Sequence, residues 1–169
     1  MSRQPEPAKT RGVRQVLTNV AEVRAAVMQV TGVANRTLSI LTHDLEPEVY
    51  DHDDFLETLK KFILARTFAR VRVLILEPGR VLMSASRFVA MGRRLNSYIE
   101  FRRVNPELSA HPEAFFIADE HALVYRARAE SWQGISDTYE PAVARMYLSK
   151  FESIWNACEI EPEVRRLQI

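Results

Sequence analysis

The chain has 169 residues, enough for one domain with a sizeable buried core. At 47% hydrophobic and 27% charged residues it has the composition of an ordinary water-soluble globular protein, and a formal charge of +1 supplies no global attraction for nucleic acid or an anionic membrane. The single cysteine, Cys158, excludes an internal disulfide and a multi-cysteine metal site. No stretch approaches the ~20 apolar residues of a membrane span, so a cytoplasmic protein is expected.

Residues 1–12 carry two prolines and few apolar side chains and are expected to form a flexible lead-in, leaving 13–169 as a single domain. Thr18 or Asn19 can cap a helix with Val20, Val23, Val27 and Val30 on one face, and Glu22 stands three residues after Asn19 as in a capping box. Gly32 ends that helix. Arg36–His43 then reads as a first strand, followed by a turn through Pro47.

Phe55, Leu56, Leu59, Phe62 and Ile63 form the clearest helical stripe, with Asp51, Asp53 and Asp54 at its N-terminal side and Lys60, Lys61 and Arg66 toward its C-terminus. Val71–Leu76 is a buried strand stopped by Glu77-Pro78-Gly79. Val81, Leu82, Ala85, Phe88, Val89 and Gly92 predict a helix up to Leu95, and Tyr98–Val104 a further strand. After a loop over 105–112, Glu113–Arg128 makes a hairpin around the turn Asp119-Glu120-His121. Apolar residues occupy both faces of its strands, so it is expected at the centre of a sheet. Ala129–Thr138 reads as a loop holding Trp132. Tyr139–Cys158 reads as a long closing helix with Pro141 in its first turn, and Pro162 ends the regular structure.

The hairpin, the parallel β-α units before it and the closing helix together resemble one half of the phospholipase D-like fold. The resemblance covers roughly Arg36–Cys158 and implies a mixed α/β sheet with helices on both faces in one domain. Enzymes of that family carry His-x-Lys-x-x-x-x-Asp on such a hairpin, followed by a Gly-Ser pair and an Asn. Only the Asp is matched here, by Asp119. Ala114 stands in the Lys position and Pro112 in the position of the nucleophilic His. A one-residue bulge would bring His111 near the nucleophile position but would place Glu113 where the cation belongs. Tyr125-Arg126 stand where Gly-Ser would be. The resemblance therefore implies a non-catalytic relative, since an acid cannot replace the cation that holds a phosphate.

His43 and Asp44 close the first strand, where open α/β sheets bind ligands, although an Asp there also serves as a turn cap. With His111, Asp119, Arg126 and Trp132 they are the candidate ligand-binding residues, suited to a small anionic ligand. No catalytic residue is assigned. The four histidines show no metal-ligand spacing and the five glycines are isolated, so neither a metal nor another cofactor is expected. Arg126 and Arg128 share a strand face and suggest an anion patch, against the plainer reading of surface pairs with Glu100 or Glu130. The preferred function is a non-catalytic ligand-binding or regulatory domain. The alternatives are a phosphodiesterase-type hydrolase rebuilt on His43, His111 and Asp119, or a nucleic-acid-binding module using the arginines. A homodimer through the sheet edge or the closing helix is expected, with neither membrane nor nucleic acid as partner.

Overall fold

The computed structural model describes residues 11–77, 86–104 and 111–160. Their elements run β1 (Arg14–Leu17), α1 (Val20–Gly32), β2 (Thr37–Thr42), α2 (Pro47–Tyr50), α3 (Asp53–Leu64), β3 (Arg70–Ile75), α4 (Arg87–Arg94), β4 (Ile99–Arg103), β5 (Ala114–Ala118), β6 (Ala122–Arg126), β7 (Gly134–Asp137), α5 (Pro141–Asn156) and β8 (Glu159–Ile160). The strands form one mixed sheet in the order β1-β7-β6-β5-β2-β3-β4-β8. β2, β3 and β4 are parallel, and β5 turns antiparallel against β2. The β5–β6 hairpin thus lies near the middle of the sheet, and every residue of β5 is buried.

Alternation along the central strands feeds two cores. Leu38, Ile40, Val71, Val73, Phe116, Ala118 and Val124 face α1–α4. Leu41, Leu74, Phe115, Ile117 and Leu123 face α5, whose Ala144, Phe151 and Trp155 are buried against them. The strands are therefore apolar on both sides, as strands covered by helices on both faces must be. The stripe Phe55, Leu56, Leu59, Phe62 and Ile63 is buried in full, and Phe55 stacks on Phe88 across the helices with ring centroids 5.4 Å apart.

The start of α1 follows the capping chemistry. Asn19 Oδ1 accepts from Glu22 N at 2.9 Å, while Glu22 Oε1 accepts from the Asn19 amide at 2.9 Å and from the Thr18 hydroxyl. Ser86 caps α4 by accepting from Val89 N; the expected beginning of that helix at Val81–Ala85 lies outside the described residues, as do the lead-in through residue 10 and the stop at Pro162.

Three strands were not anticipated. β7 occupies what reads as the loop Ala129–Thr138, β1 precedes α1, and β8 follows α5. Each is short and has no more than two apolar residues, and each is a strand only because a neighbour supplies hydrogen bonds: β1 pairs with β7, β7 with β6, and β8 with β4. Gly134 opens β7 where a Cβ would lie 2.3 Å from the Tyr125 carbonyl oxygen, so this backbone approach requires glycine.

Candidate functional site

β2 ends and β5 begins at the same edge of the sheet, and the last residue of β6, Arg126, pairs directly with Ala114, the first of β5. This geometry gathers five of the six candidate residues, His43, Asp44, His111, Arg126 and Trp132, around one end of the sheet. Asp119 is the exception. It sits in the turn at the opposite end, about 17 Å away along the five residues of β5. Its carboxylate accepts the backbone N–H groups of Asn35, Arg36 and Thr37 at 2.7, 2.7 and 2.9 Å, and its φ of 51° places it in the left-handed region. Asp119 therefore ties the hairpin turn to the start of β2 and cannot join His43 and His111 in one constellation.

On the face covered by α1 and α2, Arg126 is buried, with 4% of its side chain exposed. Its guanidinium forms an ion pair with the buried Glu46, donates to the carbonyl oxygens of Ala129 and Ser131 at 3.0 Å each, and lies over the Trp132 ring at 4.7 Å. Burial lowers the Arg126 pKa to about 10, with Asp44 acting in the opposite direction, so the group remains charged at neutral pH. Glu46 also accepts from the Thr42 hydroxyl at 2.9 Å, and its own N–H donates to Asp44 Oδ1 at 3.0 Å. The cavity beside this pair, lined by Val23, Val49, Tyr50, Ala114 and Phe116 among others, has about 10 Å³ of free space, room for no more than one water.

On the face covered by α5, His43 Nε2 donates to the His111 carbonyl oxygen at 2.8 Å. Glu113, 7% exposed, pairs with Lys150 from α5 and accepts from the Tyr125 hydroxyl at 3.2 Å. Tyr125 stacks on Tyr147 at 4.4 Å, and its pKa is raised to about 12, chiefly by burial. His111 Nε2 is buried without a hydrogen-bond partner among the described residues.

The His111 pKa is held below the ordinary imidazole value, first by burial and then by Lys150 and His43. The unfolded chain therefore binds more protons than the folded one as pH falls through the ordinary imidazole range. Stability present above that range is lost below it. Thermal melts between about pH 7.5 and about pH 5 are expected to show a falling Tm whose slope is shallower in His111→Gln; an identical slope would remove His111 as the cause.

Sequence reasoning missed Glu46, Glu113, Tyr147 and Lys150. Glu46 lies in a turn and Lys150 on a helix, so nothing in their local spacing announces partners that are 80 and 37 residues distant in the chain. The expected pairing of the exposed Arg128 with Glu130 is present at 3.0 Å, whereas Arg126 is buried and unavailable to a surface anion patch.

Order, layers and the central hairpin define the phospholipase D-like α/β fold. Nuc from Salmonella typhimurium, a phospholipase D family member, superposes with a TM-score of 0.61 at 17% identity, over 89% of this chain and 98% of that one. NucT from Helicobacter pylori gives 0.59 at 11% identity, over 89% and 99%. TrmBL2, an archaeal chromatin protein whose structure shows a novel mode of DNA binding, gives 0.62 at 14% identity over 92% of this chain, which spans only 56% of TrmBL2. At these identities the likeness is one of fold. The chain itself belongs to the family of the domain of unknown function DUF7931, whose model matches residues 19–167. No curated protein matches it.

Proposed function

We propose that this chain is a non-catalytic ligand-binding or regulatory domain built on the phospholipase D-like fold. The observation that carries the reading is the Arg126–Glu46 pair. Arg126 stands directly across from Ala114, so a cation does lie beside the position that the resemblance assigns to Lys. A carboxylate of the same chain, Glu46, already neutralises it through Nη2, and two backbone carbonyls accept from Nη1. An incoming phosphodiester would have to displace a buried partner from a space that holds one water. The nucleophile position is Pro112, and the nearby Lys150 is engaged by Glu113.

The hydrolase alternative built on His43, His111 and Asp119 lacks its third member at this end of the sheet, because Asp119 accepts three backbone N–H bonds at the other. A small anion remains the ligand class that suits this edge. His111 Nε2, which has no partner among the described residues, can donate there in its Nε2–H tautomer, and the Lys150 ammonium lies nearby at partial exposure.

Two measurements test the proposal. Hydrolysis of a generic phosphodiester is expected to match a His111→Ala control, and a rate roughly tenfold above that control would overturn the non-catalytic reading. Native mass spectrometry of freshly purified protein is expected to detect a small co-purifying anion whose retention weakens in His111→Ala; retention unchanged in that variant would move the ligand elsewhere.

A further inference from the structure

The sheet end that carries Asp119 has a different surface from the one just described. α1, α3 and α4 all finish there, and β2, β3 and β4 all start there. From Lys60 to Leu76 the chain carries Lys60, Lys61, Arg66, Arg70 and Arg72 without a single Asp or Glu. Lys60 and Lys61 are exposed toward the C-terminus of α3, and Arg36 and Arg70 are exposed at the starts of β2 and β3. Among the described residues none of these four has a carboxylate partner. Arg70 donates to the Ser97 carbonyl oxygen at 2.7 Å, and Arg36 lies over the Phe68 ring at 5.5 Å. Of the acids at this end, Asp119 binds three backbone N–H groups, Asp137 accepts from the Tyr139 N–H at 2.9 Å and Glu120 lies 3.7 Å from Arg145, while Glu140 stands beside the hairpin turn, its N–H donating to the His121 carbonyl oxygen.

Within this cationic region two large apolar side chains stand in water, Leu64 at 65% and Phe68 at 56% exposure. Lys60 and Lys61 precede Leu64 by four and three residues on the same helix and so flank it on one face. Basic residues near a helix C-terminus complement its dipole, which accounts for Lys61. The dipole gives no reason to expose a leucine and a phenylalanine beside them.

We propose that this end of the domain docks peripherally on an anionic lipid bilayer, with Leu64 and Phe68 entering the headgroup–acyl boundary and Lys60, Lys61, Arg36 and Arg70 meeting the acidic headgroups. Exposed apolar side chains ringed by cations are the combination that interfacial binding requires, because neither the apolar area nor the charge alone is sufficient. Nucleic acid would also meet the cations, but Arg36 already lies over the Phe68 ring, Leu64 has no π face for a base to stack on, and an exposed aliphatic tip gains nothing from a phosphate backbone. Docking of this kind is distinct from spanning: among the described residues no helix is long and apolar enough to cross a membrane. The surface is also separate from the Arg126 end, so the inference does not rest on the proposed function.

The test is co-sedimentation of the full chain with vesicles of phosphatidylcholine alone and of phosphatidylcholine with one part in three phosphatidylserine. Binding is expected only to the anionic vesicles and is expected to weaken as salt rises. Leu64→Ser with Phe68→Ser should lower the affinity roughly tenfold, since both side chains are largely exposed and contribute little to the core. Lys60→Ser with Lys61→Ser should lower it by a similar roughly tenfold factor, which keeps the proposal falsifiable should the first variant misfold. Absence of binding to anionic vesicles, equal binding to neutral ones, or affinity unchanged in both variants would overturn the proposal. So would tighter binding to a DNA duplex than to the vesicles, measured by fluorescence anisotropy.

Discussion

Arg126→Ala is expected to cost about 3–5 kcal/mol of folding stability, the range for breaking a buried ion pair by removing one partner. The substitution leaves the Glu46 carboxylate without its counter-charge among Val23, Val27, Val49 and Tyr50, with the Thr42 hydroxyl still donating to it. It also frees the Ala129 and Ser131 carbonyl oxygens and removes the cation that covers the Trp132 ring. Replacing both members, as Arg126→Leu with Glu46→Leu, should recover most of the loss, because neither charge then has to be desolvated. Urea unfolding of Arg126→Leu, Glu46→Leu and the double variant closes the cycle. A loss below about 1 kcal/mol for Arg126→Ala, or strictly additive effects in the double variant, would show that the pair is not coupled as described.

Asp119→Ala is expected to cost about 3 kcal/mol, which makes the one residue matching the phospholipase D-like motif a structural one. Three backbone N–H groups lose a charged acceptor at once. Asn35 and Arg36 are exposed, so water can replace part of what is lost there; the Thr37 N–H is half-buried and less easily served. Alanine at a φ of 51° adds backbone strain that aspartate and asparagine tolerate better. Asp119→Asn should therefore lose about 1 kcal/mol, retaining one acceptor oxygen and the left-handed backbone. Because the turn lies about 17 Å from the other candidate residues, anion binding at the His43–His111 edge should be unchanged in either variant. Stability within about 0.5 kcal/mol of the wild type for Asp119→Ala would contradict the assigned role.

These two residues show where a motif comparison misleads. Asp119 matches a motif of hydrolases, yet its oxygens serve the backbone of β2. Arg126 matches no motif, yet it supplies a cation beside the vacated Lys position. The charge count was equally uninformative about surfaces. The +1 total averages the acid-free stretch from Lys60 to Leu76 against acids elsewhere, such as Asp51 and Asp53, which pair with Arg87 at the other end of α3.

Local periodicity determined the helices α1, α3 and α5 and the strands β2 to β6, because each buries an apolar face whose spacing is written in consecutive residues. The two-sided apolar pattern of Phe115, Phe116, Ile117, Leu123 and Val124 also determined that the hairpin is central, since strands with no polar face must be covered twice. The order of those elements was enough for the fold class. Tertiary structure alone decided the rest. β1, β7 and β8 are strands only because a neighbour offers hydrogen bonds, and no pattern in Arg-Gln-Val-Leu or Gly-Ile-Ser-Asp requires it. The pairing of Arg126 with Glu46, the pairing of Glu113 with Lys150 and the separation of Asp119 from His43 depend on which ends of which strands meet. That is set by sheet order and direction across long sequence separations, to which a local period is blind.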